Sequence, residues 1–169
     1  EAPLSPRLAH LPKPRKQLSW DVDNARREHG FVFEVPGVGV AEPEPILAMG
    51  QFYHEAVAFD PDSGIAYLTE DNGPSAGFYR FLSAQPGHLQ AGGRLQMMKV
   101  LERPVMSDYL IRGQEMDVEW VDIPDPTRGF TEGNRNGDGV VSQGLAAGGS
   151  AFLALEGCAF SEGRVYFTS

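Results

Sequence analysis

The chain has 169 residues, 14 of them basic and 23 acidic, and a formal net charge of −9. This balance disfavours binding to nucleic acid or to an anionic membrane surface, because both require a basic face. The 20 glycines and 13 prolines are scattered among 41% hydrophobic residues, which indicates an ordered domain with many short turns. The sequence contains no apolar run near the ~18 residues that a membrane-spanning helix requires.

The beginning of the chain differs in pattern from the rest. Residues 1–28 carry four prolines and no sustained apolar period, which predicts an irregular arm. The sequence starts at Glu1 and stops inside a predicted strand, so we expect it to be the middle piece of a longer protein. The single cysteine, Cys158, excludes an internal disulfide, and its apolar alternation with Phe160 predicts a buried thiol.

Short apolar segments with a period of two follow from residue 31 and are separated by Gly, Pro, Asp and Asn. This is the pattern of β-strands joined by tight turns. The predicted strands are 31–35, 45–49, 55–60, 65–70, 77–82, 94–100, 117–122, 155–160 and 164–168. A helix is indicated only weakly, around 107–114.

The stretch 123–150 is longer than an ordinary connection, and we interpret it as a long loop inserted into the β domain. Residues 133–141 partly match a calcium-binding loop, with Asn134, Asn136 and Asp138 at ligand spacings. The twelfth position is Leu145 instead of the glutamate that would complete the site. An ordinary turn is therefore the favoured interpretation of this segment.

An internal repeat gives the clearest information about the fold. Residues 54–71 and 155–169 align as a glutamate, a short apolar strand, a turn ending in glycine, and a second strand containing Tyr and Thr. The leading residues, Glu55 and Glu156, are 101 positions apart, or about two β-propeller blades of ~40–50 residues each. The sequence therefore predicts an all-β fold, a partial β-propeller of roughly two to three four-stranded antiparallel blades over residues 29–169.

In a propeller, the first strand of each blade lines the central channel, so Glu55 and Glu156 are expected to meet at its mouth. Two carboxylates with no basic partner are compatible only if they are protonated or share a cation. Glu70 and Asp71 end a strand and could add oxygen ligands. The alternatives are surface positions for the two glutamates and a simple turn at Asp71. His54 has no second histidine four residues later and is interpreted as structural.

Several segments resemble the PhoX-type alkaline phosphatases and their bacterial relatives. They are 29–36, 46–71, 77–82, 92–100, 118–126 and 155–169, in collinear order, and HEAVAFDPDSGIAYLTED (54–71) is the most specific. The resemblance implies a secreted or periplasmic propeller with calcium and iron at its mouth and phosphate monoesters as substrates. It also implies that Glu55 and Glu156 match acidic residues of the metal-rich site.

Two departures from that family bear on function. Ala154 stands where phosphatase-type members have an arginine that contacts phosphate, and residues 1–28 match no upstream Cys- and Trp-containing segment that supplies a metal ligand. Two hypotheses remain open: a metal-dependent phosphoric monoester hydrolase, inactive as this piece alone, and a non-catalytic calcium-binding relative. Either would bind small anionic ligands through metal, and open propeller edges predict self-association.

Overall fold

The computed structural model of the protein describes residues 29–40, 44–106, 112–129 and 138–169. The predicted arm at 1–28 lies outside the described residues, as do the first five residues of the weakly indicated helix at 107–114. The rest of that segment belongs to a turn. Within the described ranges, no helix is long and apolar enough to cross a membrane.

The largest element is an antiparallel sheet whose five strands are neighbours in chain order. They are β1 (His54–Phe59), β2 (Ala66–Glu70), β3 (Phe78–Ser83), β4 (Gly93–Val100) and β5 (Val118–Asp122). Local turn chemistry explains the first hairpin: Asp60 accepts hydrogen bonds from the Asp62 amide and the Ser63 hydroxyl, and Gly64 has a φ of 72°. Glycine adopts this left-handed conformation without steric cost.

Each face of this sheet is covered by a separate apolar core. The first core packs alternate residues of β2, β3 and β4 against the 3₁₀ turn Leu47–Met49 and against helix α1 (Gly139–Ala146). The second core centres on Phe78 and includes Phe152 and Leu155. The strand alternation therefore buries residues on both faces of the central strands β2, β3 and β4, while β1 and β5 remain more exposed.

A second, two-stranded sheet follows the first one in the sequence. It consists of β6 (Cys158–Ser161) and β7 (Arg164–Phe167), joined by a turn in which Glu162 and Gly163 have positive φ. Strand β6 packs against β1, and the Phe167 ring stacks on Phe78 with centroids 4.1 Å apart. The two halves of the sequence repeat are thus the first hairpins of two adjacent, separate sheets.

The predicted all-β class is confirmed, and every predicted strand from residue 55 onward has a counterpart. The ends shift by no more than one residue, except that the strand predicted at 155–160 begins only at Cys158 and leaves Glu156 outside it. The first sheet has five strands, one more than the four predicted for a blade. The additional strand, β5, pairs with β4, and the pairing runs from Gln96 opposite Asp122 to Val100 opposite Val118. The second sheet contains one hairpin in the described residues.

Three sequence predictions of local structure were wrong. In the predicted strand 45–49, Leu47–Met49 form a 3₁₀ turn instead, which lets Ile46 and Met49, three residues apart, both be buried. The predicted strand 31–35 makes only an isolated bridge between Phe33 and Pro45. The predicted loop 123–150 contains helix α1, which is held by the packing of its buried residues on the first core rather than by sequence propensity.

Candidate functional site

Glu55 lies in an irregularity of the β1–β2 pairing. His54 pairs with Glu70 and Val57 with Leu68, so the two residues between them on β1 face the single residue Thr69 on β2. This is the arrangement of a β-bulge, which changes the direction of side chains near functional sites. The Glu55 side chain is exposed, and it makes no ion pair or hydrogen bond with the described residues.

Glu156 lies just before β6, at the start of the second copy of the repeat. Its amide donates to the Thr168 carbonyl at 3.0 Å, and its carbonyl accepts a hydrogen bond of 2.6 Å from the Thr69 hydroxyl. The side chain is exposed and, within the described ranges, has no charged partner. Its carboxylate is therefore available to a ligand.

The end of β2 connects the two acidic segments. The Thr69 hydroxyl oxygen accepts from the Ala56 amide at 2.9 Å while it donates to the Glu156 carbonyl. The backbone carbonyl of the next residue, Glu70, accepts a hydrogen bond from the Leu155 amide at 3.0 Å. The backbone on the C-terminal side of Glu55 and the backbone of Glu156 therefore meet at the same end of the sheet.

Asp71 follows this connection directly. Its amide donates to the Tyr53 carbonyl at 3.0 Å, and its side chain is exposed. In the described part of the chain, no group of three or more His, Cys, Asp or Glu side chains could hold a metal ion. The three predicted ligands thus lie around one end of β2 but do not form a complete metal centre by themselves.

Glu70 was considered only as an additional ligand, and the structure gives it a different position. Its side chain is fully buried, and its carboxylate accepts from the Gly77 amide at 2.8 Å and from the Tyr79 hydroxyl at 2.7 Å. Burial raises its pKa to about 7, an effect that these hydrogen bonds oppose. Strand periodicity could have predicted the burial, because Glu70 shares a face with Ala66 and Leu68.

His54 is partly buried and packs inside the protein, an environment compatible with the structural role that its sequence context predicts. Its ring stacks on Phe52 with centroids 3.6 Å apart, and its Nε2 lies 3.0 Å from the Gly50 carbonyl. Burial lowers the pKa of His54 to about 4, so the ring is neutral at pH 7 and donates through Nε2. Its Nδ1 is buried and has no hydrogen-bond partner among the described residues.

The remaining sequence candidates have simpler positions. Ala154 is half-buried beside the second core and has no polar side chain to offer a ligand. Cys158 is half-buried against the same core, and burial raises the pKa of its thiol. Asn134 and Asn136 lie outside the described residues, while Asp138 immediately precedes α1.

The sequence profile described as "Alkaline phosphatase PhoX" matches residues 8–169. The chain belongs to the PhoX alkaline phosphatase family. Among solved structures, it is similar to Pseudomonas fluorescens PhoX in complex with vanadate, a transition state analogue, with a TM-score of 0.57 and 19% identity. The similarity covers 82% of this chain and 27% of that chain.

The likeness to PhoX confirms the predicted partial propeller as the fold. This chain spans about a quarter of the length of that PhoX, so the comparison reaches only part of the larger protein. Comparison with curated protein sequences gave no match.

Proposed function

We propose that this chain is part of a metal-dependent phosphoric monoester hydrolase of the PhoX type. Family membership supports the phosphatase chemistry. The observation that carries the site assignment is the Thr69 hydroxyl, which joins the backbone beside Glu55 to that of Glu156. In this proposal, Glu55 and Glu156 bind metal at the propeller mouth and Asp71 adds a further ligand.

The donor chemistry of these residues fits a hard cation. Calcium takes six to eight oxygen ligands, and exposed carboxylates provide such oxygens without a competing basic partner among the described residues. Two or three carboxylates supply only part of that shell, so water, phosphate and other parts of the protein would complete it. We propose calcium together with iron, as the family resemblance implies.

Bound cations would supply the positive charge that stabilises a transferring phosphoryl group. The role of this chain's residues is to hold that charge in place and to leave an open face for the ester. Ala154 cannot form the bidentate contact to phosphate that an arginine makes. Substrate binding therefore depends on metal, and phosphate monoesters are the proposed ligands.

The second candidate function is a calcium-binding propeller relative without catalytic activity. The half-buried Ala154, in the place where phosphatase-type members have arginine, specifically favours this alternative. Either protein would act in the periplasm or outside the cell, where calcium is abundant. That location is proposed from the family resemblance.

Initial rates on a small aryl phosphate separate the two candidates. We expect the full-length protein that contains this chain, saturated with calcium and iron, to release phosphate. Chelator or the substitution Glu156→Gln should abolish this activity. Ala154→Arg should raise turnover more than it changes metal content, because it adds a phosphate contact but no metal ligand. If the unmodified protein binds calcium, and neither it nor Ala154→Arg nor Glu156→Gln releases phosphate, the result would support the non-catalytic candidate instead.

A further inference from the structure

We propose that Thr69 is a positioning residue that sets the separation between Glu55 and Glu156. The cation-binding part of this inference rests on the proposed function, whereas the positioning itself rests on hydrogen bonds within the chain. Thr69 touches neither a substrate nor a reacting atom in this proposal. It acts through the backbones of the two acidic segments.

The bulge in β1 explains why a side-chain hydroxyl is needed here. Glu55 and Ala56 together face Thr69, so the regular ladder is interrupted at this point. The Ala56 amide donates instead to the Thr69 hydroxyl at 2.9 Å. The side chain of Thr69 thereby replaces a backbone partner and fixes the shape of the bulge that carries Glu55.

The same hydroxyl reaches the other repeat. It donates to the Glu156 carbonyl at 2.6 Å, and Thr69 is fully buried, so water does not compete for this bond. One oxygen atom is thus in hydrogen-bond contact with both segments. The Ala56 nitrogen and the Glu156 oxygen cannot be further apart than the two bond lengths combined, and this restricts the spacing of the adjacent carboxylates.

A hydroxyl is suited to this position because it donates and accepts at the same time. Valine has nearly the same shape as threonine but can do neither, whereas serine keeps both functions. Thr69→Val should therefore release the two segments from each other, and Thr69→Ser should largely restore the link.

Ser150 provides a matched control in another part of the fold. It is also fully buried, accepts from the Val100 amide at 2.9 Å and donates to the Arg103 carbonyl at 2.6 Å. Ser150→Ala removes a hydroxyl with the same bond lengths; Ser150 lies six residues before Glu156, but its hydroxyl bonds to Val100 and Arg103 and to neither acidic segment. A general loss of stability should affect both variants, whereas a change at the candidate site should appear only in Thr69→Val.

The first measurement reports positioning without any metal. Spin labels are attached through Glu55→Cys and Glu156→Cys in a Cys158→Ala background, and their dipolar broadening is recorded by continuous-wave EPR in chelator. We expect Thr69→Val to broaden the distance distribution, with Thr69→Ser and Ser150→Ala resembling the parent. Equal distributions in Thr69→Val and the parent would overturn the proposal.

The second measurement reports cation affinity in the full chain with both glutamates present, by calcium titration. We expect Thr69→Val to weaken calcium binding by about 10- to 100-fold, the usual effect of losing a residue that orients a ligand. Ser150→Ala should leave affinity unchanged. If the parent binds no calcium, the proposed function fails, and the EPR result alone decides the role of Thr69. If the parent binds calcium and Thr69→Val binds it equally well, the effect of Thr69 on the site is refuted.

Discussion

His54 and Glu70 are directly paired residues on β1 and β2 with opposite responses to pH. Burial lowers the pKa of His54 from 6.5 to about 4 and raises that of Glu70 from 4.5 to about 7. Around Glu70 the facing groups are Asn72, Gly77, Tyr79 and, by its charge, Asp138, none of which is a cation. Both residues therefore favour the uncharged form in the folded protein.

The pH dependences of their contributions to stability should cancel over part of the pH range. Between pH 4.5 and 7, folded Glu70 binds more protons than the unfolded chain, so its contribution falls as pH rises. Between pH 4 and 6.5, folded His54 binds fewer protons, so its contribution rises with pH. Each effect amounts to about 3 kcal/mol, so the summed contribution of the pair should be nearly independent of pH from 4.5 to 6.5.

Single variants should reveal the opposite pH dependences of the two contributions to the free energy of unfolding. Relative to the parent, we expect the free energy of unfolding of Glu70→Gln to increase with pH from 4.5 to 6.5, and that of His54→Gln to decrease. Urea unfolding at a series of pH values, in chelator, measures both differences. Difference curves that stay flat for both variants would contradict the pKa shifts.

At the residue scale, the sequence was informative about which acidic residues to consider. The repeat identified Glu55 and Glu156, and the structure places both at the junction of the two repeats as exposed carboxylates. The sequence did not predict the position of Thr69 in the site, because its hydroxyl acts at a β-bulge and through a hydrogen bond to a residue 87 positions away. Neither feature leaves a local pattern in the sequence.

At the scale of elements, helix α1 depends on close contact with β4. Gly144 is buried there, and a Cβ atom added to it would overlap Met97 Sδ and lie 3.1 Å from Met97 Cβ. The sulfur can move, but the Cβ contact requires either the helix or β4 to give by a few tenths of an ångström. The glycine therefore permits the helix to cover the first core.

We expect Gly144→Ala to destabilise the protein by about 1–3 kcal/mol, the usual cost of overpacking, although alanine has the higher helix propensity. Ser142→Ala is the control, because Ser142 is exposed on the same helix and its replacement should be neutral or slightly stabilising. Thermal unfolding of both variants measures the difference. A Gly144→Ala protein as stable as the parent would show that α1 is not tightly packed.

Strand prediction succeeded where alternation and turn residues agreed, as in the hairpin closed by Asp60 and Gly64. Helix α1 was missed because its sequence contains glycines and β-branched residues with weak helix propensity. Its stability comes from residues distant in sequence, such as Met97, that form the surface it covers. Local pattern alone could not reveal that surface.

At the scale of the whole molecule, each sheet ends in a strand that has only one strand neighbour among the described residues. β5 has one strand neighbour in the first sheet, and β7 has one in the second. An open strand offers unpaired backbone groups to another chain. Tyr166 lies on β7 and is 51% exposed, so it adds apolar surface to that edge.

We expect this chain alone to self-associate with increasing concentration, and Tyr166→Lys to weaken the association because charge on an edge strand opposes pairing. Leu153→Lys is the control, since Leu153 is similarly exposed but lies outside the named strands. Sedimentation velocity over a concentration series measures the distribution of species. Association that is equally strong in the parent and both variants would exclude the β7 edge as the contact.

The all-β class and the propeller relationship could be predicted because the Glu-headed hairpin occurs twice, and that repetition survives in residues such as Tyr67 and Tyr166. The number of strands in the first sheet could not be predicted, since β5 joins β4 across the long connection 101–117, which contains no tight-turn signal that specifies the pairing. Strand pairing across such a distance depends on the whole layer rather than on turn residues.

The serial order of the first sheet also has a kinetic consequence. Every strand in it pairs with its neighbour in the chain, so the sheet can grow hairpin by hairpin with little loop-closure entropy. The bond between Thr69 and Glu156 instead joins residues 87 positions apart and requires β2 to be in place first. We therefore expect the junction of the two acidic segments to form last during folding and to open first during unfolding.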